Sequence, residues 1–269
     1  MLQELKWRIV TGLVMACSFI LISWIGGIWF RLWTMVMSLC IYYEWKIITG
    51  SVSLSLSEKI LGLFTFFLVF FMIITGFFKS AFFLLMLYSF IDWMISIMKN
   101  RAFWRALGVV YSGLPSIALS SLRGDDAKGC VIVFFVLSVV WATAIFAYFI
   151  GRFVGGPKIA PKISPRKTWS GSIGGLFCGV GVGVALLSFF CANCFELALA
   201  VSILLSVSCQ LGDLFESYIK RYFGIKQSGW LLPGHGGVMD RVDGLVFSCF
   251  LMSAISFFGI ATEMIGVLK

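Results

Sequence analysis

The segment from Ser217 to Asp243 reads SYIKRYFGIKQSGWLLPGHGGVMDRVD and lies between two long apolar runs, 194–212 and 241–266. It carries four cations, two carboxylates and the only histidine in the sequence. An ionised side chain at the centre of a membrane helix costs about 2.5–3.5 kcal/mol even on the most lenient insertion scale. Charge concentrated at the border of apolar runs therefore indicates a chemical site at a membrane surface.

The composition places the whole chain in the membrane class. Mean hydropathy is +1.01, and only 12% of residues are charged, against about 25% in a soluble domain. Apolar runs of about 20 residues match the thickness of a bilayer core, and they are continuous here, whereas β-barrel strands alternate. We therefore predict an all-α polytopic integral membrane protein. The nine predicted spans are 9–25, 27–47, 59–77, 79–98, 103–122, 128–150, 171–190, 194–212 and 241–266.

The distribution of cations predicts the orientation. With a cytoplasmic N-terminus, 16 of the 21 Lys and Arg residues fall on the cytoplasmic side and 5 on the other, as the positive-inside rule requires. This bias accounts for the net charge of +9, so the basic character does not indicate a nucleic-acid partner. We expect the cytoplasmic (inner) membrane of a bacterium, with the active site facing the cytoplasm.

The length of 269 residues fits one transmembrane catalytic domain, with N-terminal helices over 1–125 and a catalytic half over 126–269. The sequence leaves the oligomeric state open, a homodimer included. Cys191 and Cys194 form a CxxC on the predicted outer side. A lone CxxC is weak evidence, so we expect no chemical role for it, with an incidental disulfide as the alternative.

Two hydrophilic loops on the predicted cytoplasmic side carry the chemistry. The first, 151–172, contains four glycines and five cations and no acid. Glycine backbone N–H groups and cationic side chains suit a phosphate, although an ordinary positive-inside loop would also be basic. The second loop follows Asp213, Glu216 and Lys220, whose spacing places them on one helix face.

Two further acids, Asp240 and Asp243, share a face at the start of the last predicted span. Acids are favoured at a helix N-terminus in any case, and Glu216 could simply pair with Lys220. Two acidic pairs on either side of a glycine turn nevertheless favour a hard cation. Carboxylate oxygens without neighbouring thiols suit Mg²⁺, which also binds phosphates. We therefore predict a Mg²⁺ site and leave a second cation open.

The same stretch resembles the signature of the phosphatidate cytidylyltransferase (CDP-diacylglycerol synthase) family. The matching positions of this signature are Ser217, Lys220, Arg221, Lys226, Pro233, His235, Gly236, Gly237, Asp240, Arg241 and Asp243. The first loop is similar to the family too. Its matches are Ala147, Tyr148, Gly151, Arg152, Ser164, Pro165, Lys167, Thr168, Gly174 and Gly175.

The resemblance implies transfer of a cytidylyl group from CTP to phosphatidic acid, giving CDP-diacylglycerol and pyrophosphate. Asp213 and Asp240 are then expected to be the principal metal ligands, with Glu216 and Asp243 as secondary acids. His235 would contact a phosphate or only hold the turn. The side chains expected on phosphates are Lys167, Lys220, Arg221, Lys226 and Arg241. The remaining expected substrate-binding residues are Arg152, Ser164, Thr168, Ser217, Gly236 and Gly237.

Two positions depart from the family pattern. Gln227 and Ala144 stand where the family usually has Asp, which removes two carboxylates. An inactive relative is therefore one alternative to the enzyme. A transporter of an anionic substrate is another, because intramembrane acids and basic loops also mark transporters. The absence of an internal sequence repeat and the position of the charge at one membrane face argue against a transporter.

Overall fold

The structure, a computed structural model, describes residues 2–50, 56–97, 102–191, 194–232 and 236–257. Over these ranges the chain forms nine α-helices and one antiparallel pair of strands. The helices are α1 (Leu2–Ile25), α2 (Gly27–Thr49), α3 (Leu56–Ile74), α4 (Phe78–Ser96), α5 (Ala102–Arg123), α6 (Ala127–Phe153), α7 (Trp169–Phe190), α8 (Phe195–Tyr222) and α9 (Met239–Phe257). The strands are β1 (Lys158–Ala160) and β2 (Ser164–Thr168).

Four helices in the described part of the chain are long and apolar enough to cross a membrane, namely α4, α6, α7 and α8. Shorter apolar helical stretches occur at Val10–Ile25 and Ile60–Ile74. The prediction of an all-α protein of the membrane class is confirmed. The count of nine spans and the cytoplasmic N-terminus stay predictions.

The structure adds detail at the two hydrophilic segments. Helix α8 continues to Tyr222, ten residues beyond the predicted end of its span at 212, in agreement with the helical spacing expected for Asp213, Glu216 and Lys220. The first loop is partly ordered as the β1–β2 hairpin, in which Lys158 pairs with Thr168 and Ala160 with Ser164. Neither strand was predicted, since three-residue pairings in a Gly- and Pro-rich loop leave almost no periodic signal.

The chain forms two compact units. The first comprises Met1–Gly124 together with Phe223–Arg241, and the second comprises Asp125–Tyr222 together with Val242–Lys269. The signature segment after α8 therefore belongs with the N-terminal helices, although it is distant from them in sequence.

In the first unit, helices α3, α4 and α5 share a buried ion cluster. The guanidinium of Arg105 lies 2.6 Å from Asp92 Oδ1 and 3.4 Å from Glu58 Oε1. All three side chains are less than a tenth exposed. A buried charge is tolerated only when it is paired, and the pairing explains how α5 carries Arg105 within its apolar length. Pro115 does not interrupt this helix.

In the second unit, α6 and α7 pack closely through glycines at every fourth position of α7: Gly171, Gly175, Gly179 and Gly183. All four are buried. A Cβ atom at Gly171 would lie 2.5 Å from the backbone oxygen of Ala147, and one at Gly175 would lie 2.7 Å from that of Thr143. Small residues allow this backbone approach between membrane helices. The side chain of Thr168 caps α7 by accepting a hydrogen bond from Gly171 N at 3.2 Å.

Cys191 and Cys194 form a disulfide between the end of α7 and the start of α8. This is the alternative that the CxxC spacing left open. The other six cysteines of the chain form no disulfide bond.

Cysteine labelling can check the predicted orientation. In a Cys17→Ser background, Lys162→Cys and Trp230→Cys should react with a membrane-impermeant maleimide only from the cytoplasmic side, because the positive-inside rule places both loops there. Both positions are exposed. Asp125→Cys, also exposed but in a predicted outer loop, is the matched control and should react only from the other side. Labelling of position 162 or 230 from outside intact cells would contradict the orientation.

Candidate active site

Two glycines bring two predicted metal ligands together in the second unit. Gly212 precedes Asp213 on α8, and Gly244 follows Asp243 on α9. A Cβ atom at Gly212 would lie 2.5 Å from the backbone oxygen of Asp243, and one at Gly244 would lie 2.5 Å from Cys209 Sγ. The two helices therefore touch at backbone distance, and each contact glycine is adjacent to an acid.

At this contact the carboxyl groups of Asp213 and Asp243 lie close enough to interact electrostatically. Asp243 Oδ1 accepts a hydrogen bond from Gly244 N at 2.8 Å. Two adjacent carboxylates repel each other unless positive charge lies beside them. A divalent cation can supply that charge and neutralise both groups. The pair thus has the chemistry of a cation site.

Lys167 completes the group. Its Nζ atom lies 2.7 Å from Asp213 Oδ1. Lys167 is in β2, next to Thr168, which caps α7, so the strand end and the helix start fix the backbone that carries the lysine. The Asp213 side chain is 46% exposed and that of Lys167 is 23% exposed, which leaves the acid accessible to a ligand. Lys167 was predicted to bind a phosphate, and the structure places it beside Asp213, a predicted metal ligand.

Glu216 lies one turn further along α8. It is almost completely buried and forms an ion pair with Lys220, with a distance of 2.5 Å between Oε2 and Nζ. This is the helix salt bridge that their spacing also allowed. Within the described ranges, no three His, Cys, Asp or Glu side chains come together as a metal-binding group.

Asp240 contacts both ends of the signature turn, which we define as residues 228–237, in the first unit. Its Oδ2 atom accepts hydrogen bonds from Ser228 N at 3.0 Å and from Gly237 N at 3.2 Å. Gly236 has a φ of 85°, a conformation that side-chain-bearing residues rarely adopt, so glycine is needed at this point of the turn. Asp240 lies one turn before Asp243 on α9, and both residues are on the same face of that helix.

The sequence analysis did not identify Glu44 on α2, which contacts the same turn. Its carboxylate is fully buried and accepts hydrogen bonds from Val238 N, Met239 N and Ser228 Oγ. A lone acid within a predicted span was the available signal, because ionisable groups in membrane helices are rare and usually functional. Its contacts lie more than 180 residues away along the chain, so sequence spacing could not reveal them.

The other predicted residues are more dispersed. Arg221 Nε donates to the backbone oxygen of Ile163 at 3.3 Å, which ties α8 to the hairpin. Arg152 donates to Tyr148 Oη at 3.0 Å within α6. Ser164 and Ser217 are half-buried, whereas Lys226 and Arg241 are exposed. Pro233 and His235 lie outside the described residues.

The two departures from the family pattern lie in different places. Gln227 is exposed and close to Gly236, since a Cβ atom at Gly236 would lie 3.8 Å from Gln227 Cβ. Ala144 is exposed on the surface of α6. The first departure is therefore beside Asp240, and the second is on a helix face.

Paired acids with a lysine beside one of them, in a helical protein of the membrane class, define a site suited to phosphate substrates at a bilayer. The chain belongs to the cytidylyltransferase family, whose profile matches residues 6–258. This confirms the resemblance that the signature indicated.

Relatives with assigned names agree with the family. The chain is 38% identical over 258 residues to proteins named phosphatidate cytidylyltransferase from Brucella abortus (strain 2308) and Brucella suis biovar 1 (strain 1330). These matches cover 93% of this chain and 93% of each relative. A protein of the same name from Staphylococcus haemolyticus is 41% identical over 163 residues, which are 58% of this chain and 62% of the relative.

The helix contact at the acid pair can be tested by stability. Gly212→Ala should lower the melting temperature by several degrees, because its Cβ atom would lie 2.5 Å from a backbone oxygen and the helices must separate. Gly181→Ala is the matched control. This exposed helical glycine has no neighbour within 4 Å, so alanine should leave stability unchanged or raise it slightly. Equal melting temperatures for Gly212→Ala and the wild type, in thermal unfolding in detergent, would show that the contact is not tight.

Proposed function

We propose that the protein is a phosphatidate cytidylyltransferase that makes CDP-diacylglycerol and pyrophosphate from CTP and phosphatidic acid. The observation that carries the proposal is the acid pair Asp213 and Asp243 beside Lys167, in a chain that aligns over 93% of its length with relatives of that name. The family membership supports nucleotidyl transfer, and nothing favours the transporter alternative.

The reaction needs positioning more than acid–base chemistry. The phosphate of phosphatidic acid is already anionic, so one of its oxygens can attack the α-phosphorus of CTP without a general base. A new P–O bond forms, the bond from the α-phosphorus to the bridging oxygen breaks, and the electron pair leaves with pyrophosphate. Bringing two polyanions together in line is the main task of the protein.

Mg²⁺ is part of the proposal, and the residues fit it. Asp213 and Asp243 offer adjacent hard oxygen atoms, and phosphate oxygens can supply the further ligands that Mg²⁺ prefers. When bound, the cation would neutralise phosphate charge and hold the triphosphate against the acid pair. Asp240 is the other predicted principal ligand, and its Oδ2 atom also holds the signature turn. Glu216 is a weaker candidate, because it is buried against Lys220.

The cations have distinct proposed tasks. Lys167 neutralises the acid pair and can shift to a substrate phosphate, because its flexible ammonium accepts several geometries. Arg221 and Arg241 are suited to bidentate phosphate contacts, and Lys226 adds an exposed positive charge.

Both members of the acid pair come from one chain, so this part of the site does not require a homodimer. Placement in the cytoplasmic membrane with a cytoplasmic active site rests on the distribution of Lys and Arg.

Removal of one charge from the acid pair should abolish the activity. Asp213→Asn keeps the size of the side chain but removes the charge that a divalent cation needs, which should cost at least about a thousandfold in rate. The measurement is incorporation of radiolabelled CTP into lipid in detergent with Mg²⁺. Glu196→Gln, an exposed acid in the first turn of the same helix, is the control and should keep wild-type activity. An active Asp213→Asn enzyme with normal metal dependence would refute the ligand assignment, and an inactive wild type would refute the proposed function.

A second experiment addresses the departure at position 227. Gln227→Asp should lower the Mg²⁺ concentration needed for half-maximal activity, because it restores a negative charge beside the turn that carries Asp240. Gln227→Asn is the matched control, with the size of Asp but no charge, and should not lower it. If Gln227→Asp leaves the Mg²⁺ titration unchanged, position 227 is outside the environment of the metal.

A further inference from the structure

Glu44 makes an unusually complete set of contacts for an acid within an apolar helix. Oε1 accepts a hydrogen bond from Val238 N at 2.7 Å, and Oε2 accepts from Met239 N at 2.8 Å and from Ser228 Oγ at 3.1 Å. The side chain is fully buried. Burial of a carboxylate is unfavourable unless several donors compensate it, so this position is built around the charge.

The backbone opposite Glu44 is shaped to receive the carboxylate. A Cβ atom at Gly229 would lie 2.8 Å from Glu44 Oε1, and one at Gly237 would lie 2.5 Å from Oε2. Glycine at both positions therefore allows the chain before and after the signature turn to close on the same side chain. Glu44 thus holds the two ends of the turn together.

The contacts of Glu44 continue directly to Asp240. Ser228 donates its hydroxyl to Glu44 and its backbone N–H to Asp240. Gly237 donates its N–H to Asp240, and the next two residues donate theirs to Glu44. The two carboxylates therefore divide the N–H groups at the start of α9 between them. A displacement of Glu44 would change the direction of the Asp240 side chain.

We propose that Glu44 is a positioning residue for the signature turn, and that its carboxylate fixes the start of α9 and thereby the position of the Asp240 carboxylate, a proposed ligand of the substrate-bound cation. The inference rests on the proposed function. It assigns a role in the reaction to α2, a helix of the N-terminal part of the chain. Glu44 itself does not touch the reacting groups.

The test compares Glu44→Gln with Glu58→Gln. Glu44→Gln keeps the shape but replaces one acceptor oxygen by a donor that faces backbone N–H groups. We expect kcat/KM for CTP to fall about tenfold to a hundredfold, as small displacements at a reacting centre do. The Mg²⁺ concentration for half-maximal activity should rise several-fold. Glu58→Gln alters another buried acid of the same unit, which pairs with Arg105. It should lower the melting temperature and leave the Mg²⁺ titration of the folded enzyme unchanged.

A second set of variants keeps the test valid if Glu44→Gln does not fold. Ser228→Ala removes only the hydroxyl contact and should shift the Mg²⁺ titration in the same direction by a smaller factor. Glu44→Asp retains the charge and should recover part of the loss seen in Glu44→Gln. The inference is overturned if the wild type is active and folded Glu44→Gln shows an unchanged Mg²⁺ titration. If Glu44→Gln does not fold, an unchanged Mg²⁺ titration of Ser228→Ala overturns it. It is also overturned if Glu58→Gln shifts that titration equally. An inactive wild type would instead remove the proposed function.

Discussion

The pairing of buried carboxylates with cations or hydrogen-bond donors is the main physical constraint on this fold. Carboxylates in apolar surroundings are unstable unless charge or hydrogen bonds compensate them. The clearest cases are Asp92 with Arg105, Glu216 with Lys220 and Glu44 with backbone N–H groups at the start of α9. Where the partner comes from another element, as for Asp92 and Glu44, this requirement brings the two elements together. The membrane setting thus makes electrostatic pairing a determinant of the fold as well as of the site.

Close backbone approach is the second condition for these carboxylate contacts, and glycine is the residue that allows it. Gly212 and Gly244 let α8 and α9 touch beside the acid pair, and Gly229 and Gly237 admit the carboxylate of Glu44. At each of these four glycines, a side chain as small as alanine would meet a backbone oxygen, a carboxylate oxygen or the Cys209 sulfur within 3 Å. The position of each of these acids therefore depends on the glycines beside it, and substitution of one of these glycines would displace the neighbouring carboxylate.

Much of the site could be predicted from the sequence, because its parts lie in a compact signature. Asp213, Asp243 and Lys167 were each identified, and the structure brings these three together. Glu44 could not be identified, because its partners are separated from it by most of the chain and no local spacing links them. The β1–β2 hairpin was also missed, since its pairings are too short for a periodic pattern. The helical class followed directly from composition, and the helical spacing of Asp213, Glu216 and Lys220 indicated that α8 continues past its apolar length.

The unbroken course of α8 has a consequence for the depth of the reaction. Asp213 lies 18 residues after the first residue of the helix, Phe195, a rise of about 27 Å at 1.5 Å per residue. The hydrocarbon core of a bilayer is about 30 Å thick. A spanning α8 that enters the core at Phe195 would therefore bring Asp213 to within about 3 Å of the opposite edge of the core, next to the headgroup layer. A thicker or thinner bilayer would move the acid relative to that edge or oblige the helix to tilt, so the length of α8 between Phe195 and Asp213 sets where the acid lies relative to the lipid headgroups.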